Sequence, residues 1–293
     1  MFLGTALLAR RNLKAGRGDR KGALRISFVL FALHLDARLM IAHYVPDMNQ
    51  QLVAFFMSVS LALLEAALVW LGYVALEPHI RKTWPHTMIS WSRLVAGRFR
   101  DPLVGRDVLV GAFAGVVWAL IPHLKYVVSG WLGIAPPIPQ IGLSQALGGV
   151  RPAAGYALFV TASAILLGMY TFLGLFLLRL VLRKLWLAAA VLLLLYVGIN
   201  VAASTANPAL DGFSALLIGG SIVFLLLRFG LLTAVAAAFC SSILEVFPLT
   251  PDFSAWYAAG SILALAVVAA LLIYAFHRAL AGKPAFRFDL LED

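Results

Sequence analysis

Long apolar runs bounded by charge, proline or glycine dominate the chain. They fall at about 24–44, 52–76, 108–132, 154–178, 185–203, 213–228, 229–248 and 256–276. A helix needs roughly 20 predominantly apolar residues to cross the bilayer core. The pattern therefore predicts an all-α, polytopic transmembrane bundle of about eight spans. The third run contains Pro122 and Lys125. The sixth and seventh are separated only by Arg228-Phe229-Gly230, which fits either a tight hairpin or one long bent element. A shorter apolar run, Phe2 to Ala9, stops at Arg10-Arg11. It is too short to span. Because its positive charges follow the apolar residues and no small-residue cleavage site appears, it does not read as a signal peptide. It is expected to be the clipped end of a helix within a basic cytoplasmic segment, 1–23, with the membrane domain following at 24–293.

Composition agrees with the pattern. Hydrophobic residues make up 62% of the chain and charged residues 12%, about half the share in soluble domains. The formal net charge is +10. Because Lys and Arg sit in short runs between apolar segments, their expected partner is anionic lipid head groups at the bilayer surface and not nucleic acid. Positively charged loops are retained in the cytoplasm, so placement of Lys and Arg also sets direction. With the N-terminus inside, the inside collects the cations between Arg10 and Arg25, six between Arg81 and Arg106, Arg179, Arg183, Lys184, Arg228, Arg278, Lys283 and Arg287. Arg38, Lys125 and Arg151 remain elsewhere. Both termini are thus expected in the cytoplasm. Cys240, alone, excludes an intrachain disulfide and a thiolate metal cluster.

Residues 77–107 are polar yet rich in Trp. Ile80, Trp84, Met88, Trp91, Val95 and Phe99 recur every three or four residues, with Lys82, His86, Arg93 and Arg100 roughly opposite. This spacing predicts a basic amphipathic helix at about 79–100 lying in the head-group plane, its regular part beginning near Pro85. Arg81, Lys82, Trp84, Trp91, Arg93, Arg98, Arg100 and Arg106 are the candidate interfacial or docking surface, serving as a membrane-surface strut or as a platform for a cytoplasmic partner.

The run Ala75-Leu-Glu-Pro-His-Ile-Arg81, then Trp84-Pro85, Ile89-Ser-Trp-Ser-Arg-Leu94 and Gly97-Arg-Phe-Arg-Asp-Pro-Leu-Val-Gly-Arg-Asp-Val-Leu-Val-Gly111 resembles the C-terminal membrane region of certain bacterial serine/threonine protein kinases. The opening Leu7-Leu-Ala-Arg-Arg-Asn-Leu-Lys-Ala-Gly-Arg-Gly-Asp-Arg20, together with Phe253-Ser-Ala-Trp-Tyr257 and Gly282-Lys-Pro-Ala-Phe286, is similar too. The resemblance implies a multi-pass module of the bacterial cytoplasmic (inner) membrane, associated with a cytoplasmic kinase domain in cis or in trans. The chain itself has no Gly-rich phosphate loop, catalytic Asp with following Asn, or Asp-Phe-Gly. His277-Arg278-Ala279 lacks the catalytic Asp and ends a membrane run. What is implied is a non-catalytic anchoring and sensing module.

Ionisable residues in lipid are costly and normally pair inside a bundle. The first span carries His34, Asp36 and Arg38, and the second carries Glu65. Counting helical rise from the connecting loop puts His34 and Glu65 at similar depth, with Arg38 one turn beyond on the His34 face. His34, Arg38 and Glu65 are therefore the candidate intramembrane polar site, either a pair that sets helix register or a proton-linked or ligand-sensing site. No catalytic, cofactor-binding or metal residues are expected: Glu77, His79 and His86 lack a further ligand in register, and no His-Glu-x-x-His occurs. The glycines at 111–115, 148–149 and 219–220 lack a following Lys-Ser/Thr and are expected to permit close helix packing. A loop at 134–152 with Pro136, Pro137, Pro139 and Pro152 is too short for a domain and is expected either to cap the bundle or to contact an external ligand. The alternative to the anchoring module is a small-solute or ion transporter, which the break at Pro122 favours but for which no inverted repeat is visible.

Overall fold

The computed structural model describes residues 2–16, 18–42, 46–134, 144–204, 207–247 and 249–280. Arg17, Lys283, Arg287, Pro248, the closing motif at 282–286 and residues 135–143 of the proline-rich loop, with Pro136, Pro137 and Pro139, lie outside the described residues. Ten α-helices account for most of the rest: α1 Phe2–Lys14, α2 Arg20–Ile41, α3 Met48–Thr83, α4 Ile89–Val95, α5 Pro102–Leu132, α6 Val150–Leu182, α7 Leu185–Ala202, α8 Pro208–Arg228, α9 Leu231–Val246 and α10 Ala258–Ala279. Two short 3-10 turns, Pro85–Met88 and Ser144–Leu147, precede α4 and α6. The protein is an all-helical bundle. Among the described residues, six helices are long and apolar enough to cross a membrane: α3, α5, α6, α7, α8 and α10. The two remaining expected segments are also helices but differ. α2 carries Arg20, Lys21, Arg25, Asp36 and Arg38, and α9 has only 16 residues.

Local chemistry explains the boundaries. Asp47, Asp101 and Asn207 accept hydrogen bonds from the first free amides of α3, α5 and α8. Pro102 and Pro208 occupy first-turn positions, where no amide is lost. Gly230, at φ +107°, lies between α8 and α9, with an added Cβ facing the Thr87 carbonyl. The sixth and seventh segments are thus two helices and not one bent element. Pro122 lies within a continuous α5.

α9 is the centre of the bundle. Nearly all its side chains are buried, and most are Ala, Ser, Thr, Cys or β-branched. α5 approaches it closely through glycine: a Cβ at Gly111 would lie 2.7 Å from the Ala236 Cβ, and one at Gly115 would lie 2.7 Å from the Cys240 Cβ and closer still to the Ala237 carbonyl. Lipid tails give helices no hydrophobic reason to associate, so small residues that let backbones meet supply the contact through dispersion. Gly155 plays the same part for α6 against Met40 and Ile41 of α2. The expected packing role of glycine therefore holds at Gly111 and Gly115. Gly219 also packs closely, against Tyr196 and Leu193, whereas an added Cβ at Gly220 would meet open space.

One expectation is corrected. Residues 79–100 do not form one amphipathic helix. α3 runs through Pro78 to Thr83, Trp84 ends it, and a 3-10 turn and the seven-residue α4 follow. Trp84, Met88 and Trp91 are the reason: they enter the core, which a single straight helix lying on a surface would not permit. α2 runs without a break through residues 23 and 24, and α1 packs on α3.

Candidate functional site

The antiparallel course gathers most of the described cations at one end. There Tyr274 Oη donates to the Phe99 carbonyl at 2.5 Å, Arg25 Nη1 to the Val95 carbonyl at 3.2 Å, and the Arg179 guanidinium lies 4.5 Å from the Trp84 ring centroid. His86 Nε2 lies 3.4 Å from the Leu227 carbonyl oxygen. The ends of α3, α6, α8 and α10 thus meet the starts of α4, α5 and α9 on one platform.

The platform is built around a proline. Pro78 has no amide to offer the Val74 carbonyl one turn back, and a freed carbonyl inside a bundle must find another donor. Asn12 of α1, itself buried, supplies it: Nδ2 donates to Val74 O at 3.1 Å and to Ala75 O at 2.8 Å. The same turn holds Glu77, which is 3% exposed, accepts from the Asp19 amide at 3.3 Å and pairs with Arg81 at 2.7 Å. Trp84 stacks edge-on to Phe176 at 5.8 Å while Arg179 covers it. Arg93 Nη1 donates to both carboxylate oxygens of Asp101 at 2.8 Å, and Asp101 also caps α5. Burial works against ionising Asp101, but the Arg93 hydrogen bonds, the Leu103 amide and the charges of Arg93 and Arg98 hold its carboxyl below the usual carboxylate range.

The eight residues expected on a docking surface therefore divide. Trp84 and Trp91 are buried and do not present a surface. Arg81, Arg93 and Arg106 face Glu77, Asp101 and Asp107 respectively. Lys82, Arg98 and Arg100 are exposed and carry no ion pair among the described residues. Arg106 and Arg228 also flank the Phe229 ring, at 5.9 and 5.8 Å. The result is a cationic surface on a rigid aromatic base, suited to phosphate or carboxylate groups.

The polar site expected between the first two spans is brought together. His34 Nδ1 lies 2.5 Å from Glu65 Oε2, and Arg38 Nη2 donates to Glu65 Oε1 at 3.3 Å. His34 is buried and tilted against Phe159 of α6 at 6.0 Å, whereas Arg38 and Glu65 are about a quarter exposed. Asp36 points away on the exposed face of α2. Nearby, Arg151 Nη2 donates to the Leu39 and Ala42 carbonyls, closing the end of α2.

Sequence reasoning missed two contacts. Asn12 was one polar residue among many, with no signal apart from Pro78 far along the chain. Lys125 pairs with Asp211 of α8 at 2.7 Å, and Ser204 Oγ donates to the same carboxylate at 2.5 Å. The available signal was that Lys125 is one of three cations outside the inside-positive pattern. No group of three or more His, Cys, Asp or Glu among the described residues is arranged to hold a metal. No protein family, curated protein or solved structure matches the chain.

Proposed function

We propose that the chain is an eight-span anchoring and docking module of the bacterial cytoplasmic membrane, with its cationic end in the cytoplasm, and that this end seats a serine/threonine kinase domain carried in cis or supplied in trans. In this reading α2 and α9 cross the membrane as well. α2 does so with its charged turns at the surface and its His34 and Arg38 paired to Glu65, and α9 does so shielded from lipid by its neighbours, where a 16-residue helix has less need to match the bilayer. Anionic lipid head groups and a kinase domain compete for the same surface. The observation that carries the reading is the gathering of the exposed Lys82, Arg98 and Arg100 beside the packed Trp84 and Trp91 on one end of the bundle. A rigid base reduces the ordering cost of binding, and unpaired cations supply attraction and orientation.

Orientation is tested in a Cys240→Ala background bearing Arg98→Cys or Asp252→Cys. An impermeant maleimide added to intact cells labels the second and reaches the first only after permeabilisation; the reverse pattern would refute the topology. Docking is tested with a purified bacterial receptor-like kinase catalytic domain and proteoliposomes of zwitterionic lipid. Binding is expected with the wild type and lost with Lys82→Glu, Arg98→Glu and Arg100→Glu combined. Equal binding to protein-free liposomes would end the docking reading. Solute uptake by the same proteoliposomes would favour a transporter.

A further inference from the structure

The cluster of His34, Arg38 and Glu65 lies toward the end of the bundle opposite the cationic platform, and its buried polar atoms are not all engaged. His34 Nδ1 and Glu65 Oε2 are 2.5 Å apart, closer than the usual N–H···O range of about 2.7–3.2 Å. Yet both atoms are buried, and neither makes an aligned hydrogen bond to a described residue. Arg38 Nε is buried without an acceptor as well. Arg38 reaches the carboxylate by one bond, Nη2 to Oε1 at 3.3 Å, and not by the parallel pair of short bonds a guanidinium makes at its strongest. A pair whose only task was to fix helix register would gain by closing these bonds, since each buried polar atom left open costs stability.

The charged and titratable groups around His34 come from four helices. α3 brings Glu65 and, about two turns further in, Tyr73. α6 sets Phe159 against the ring at 6.0 Å, with Tyr156 beside Phe159, Arg151 at its first turn and Tyr170 about three turns further in. α4 packs on the other end of α2, and its Arg93 is held by Asp101. α2 itself supplies Arg38, in its last turn, and Asp36 on its exposed face. Arg151 is turned to the Leu39 and Ala42 carbonyls. Among the described residues, Glu65 is thus the carboxylate within ion-pair distance of His34, and Arg38 is the cation that shares it. With a neutral imidazole these three groups carry no net charge.

We propose that His34 and Glu65 form a binding site for one proton, and that Arg38 is exchanged against it. The proton enters past Glu65 and Arg38, each about a quarter exposed, because His34 itself is 2% exposed. The imidazole takes it, both ring nitrogens become donors, and the ring turns Nδ1–H onto Glu65 Oε2. Glu65 is then paired within the bundle. Arg38, within one turn of the end of α2, carries its guanidinium out to the head groups on its long stem. Loss of the proton returns the carboxylate to Arg38. In both states the interior holds one cation against one anion, the condition for keeping charge in a bilayer. The site does not rest on the docking reading of the other end, and it makes the α2–α3 hairpin responsive to acidity on the side remote from the platform.

The test uses the full chain, with isotopically labelled histidine and arginine, in proteoliposomes read by solid-state nuclear magnetic resonance from about pH 4 to 9. The His34 and Arg38 signals are assigned by their loss in His34→Gln and Arg38→Lys proteins. In the wild type the His34 ring is expected to pass from charged to neutral with a single midpoint, the ratio of charged to neutral form falling roughly tenfold for each pH unit. The Arg38 Nε signal should change over the same interval. In folded Glu65→Gln protein the Arg38 signal should no longer follow pH, since no carboxylate is left to exchange. The proposal is overturned if the wild-type ring keeps one protonation state across the range, which would leave the cluster a register-setting pair. It is overturned equally if Arg38 is unmoved while His34 titrates, or if Arg38 follows pH as before in the Glu65→Gln protein. The wild-type titration decides even where the Glu65→Gln protein fails to fold.

Discussion

α7 and α9 are both strongly apolar, yet one lies at the edge of the bundle and the other at its centre. In α7, Leu185–Ala202, Ala188 is the buried residue, and Leu194, Leu195 and Ile199 are exposed. In α9, Leu231–Val246, nearly every side chain is buried. What separates them is size. α7 carries a run of four leucines, which lipid accommodates as readily as protein does, while α9 carries Ala234, Ala236, Ala237, Ala238 and Cys240, which let α5 and α6 come close. Between these two helices, the one rich in small side chains lies inside and the one with a run of large apolar side chains lies at the perimeter.

The largest expected effect strikes that contrast directly. Gly115→Leu forces a side chain into the Ala237 carbonyl and Cys240, and should destabilise the bundle by about 3 kcal/mol or more, read as a shift in detergent-induced unfolding. A Gly115→Leu protein as stable as the wild type would mean that the α5–α9 contact does not organise the fold.

Asn12→Ala leaves the Val74 carbonyl freed at Pro78 without its donor and should cost about 1–3 kcal/mol. The loss should appear first as protease sensitivity near α1. Asn12→Asp should be no better, since a carboxylate cannot donate.

Asp101→Ala removes the α5 cap and the Arg93 pair together, at about 1 kcal/mol near neutral pH. The folded-state acidity of Asp101 is depressed below its ordinary value, so its contribution is present above the usual carboxylate range and is lost as pH falls through the folded value. Wild type and variant should therefore converge in stability on acidification, as equilibrium unfolding across that range would record.

The smallest effect belongs to the perimeter. Leu194→Ala on α7 should change stability by less than about 0.5 kcal/mol, because its side chain faces outward and leaves no cavity. A loss of several kcal/mol in the same unfolding assay would place a protein contact on that face and erase the difference between the two helices.

The pairing of His34 and Arg38 with Glu65 was legible because two adjacent helices joined by a short connection share a depth scale, and few groups at that depth can answer a carboxylate. Pairing of Lys125 with Asp211 was not, since 86 residues separate them and helix rise relates only neighbouring segments. The stretch at 79–100 misled for a different reason. Its apolar spacing is helical, but periodicity does not reveal whether an apolar stripe meets lipid or protein. Trp84 and Trp91 meet protein, and the chain bends at Trp84 and Pro85 to bring them there.

The sequence by itself determined the all-helical class, the positions of the eight long segments and the clustering of cations between alternate pairs of them. Each depends on local apolar length, caps and charge, which the chain carries residue by residue. Only the tertiary structure decided that α9 is the core, that Asn12 serves the proline of α3, and that Lys125 of α5 pairs with Asp211 of α8. Those relations rest on which backbones approach closely, and that is set by the fit of small residues across helices far apart in the chain.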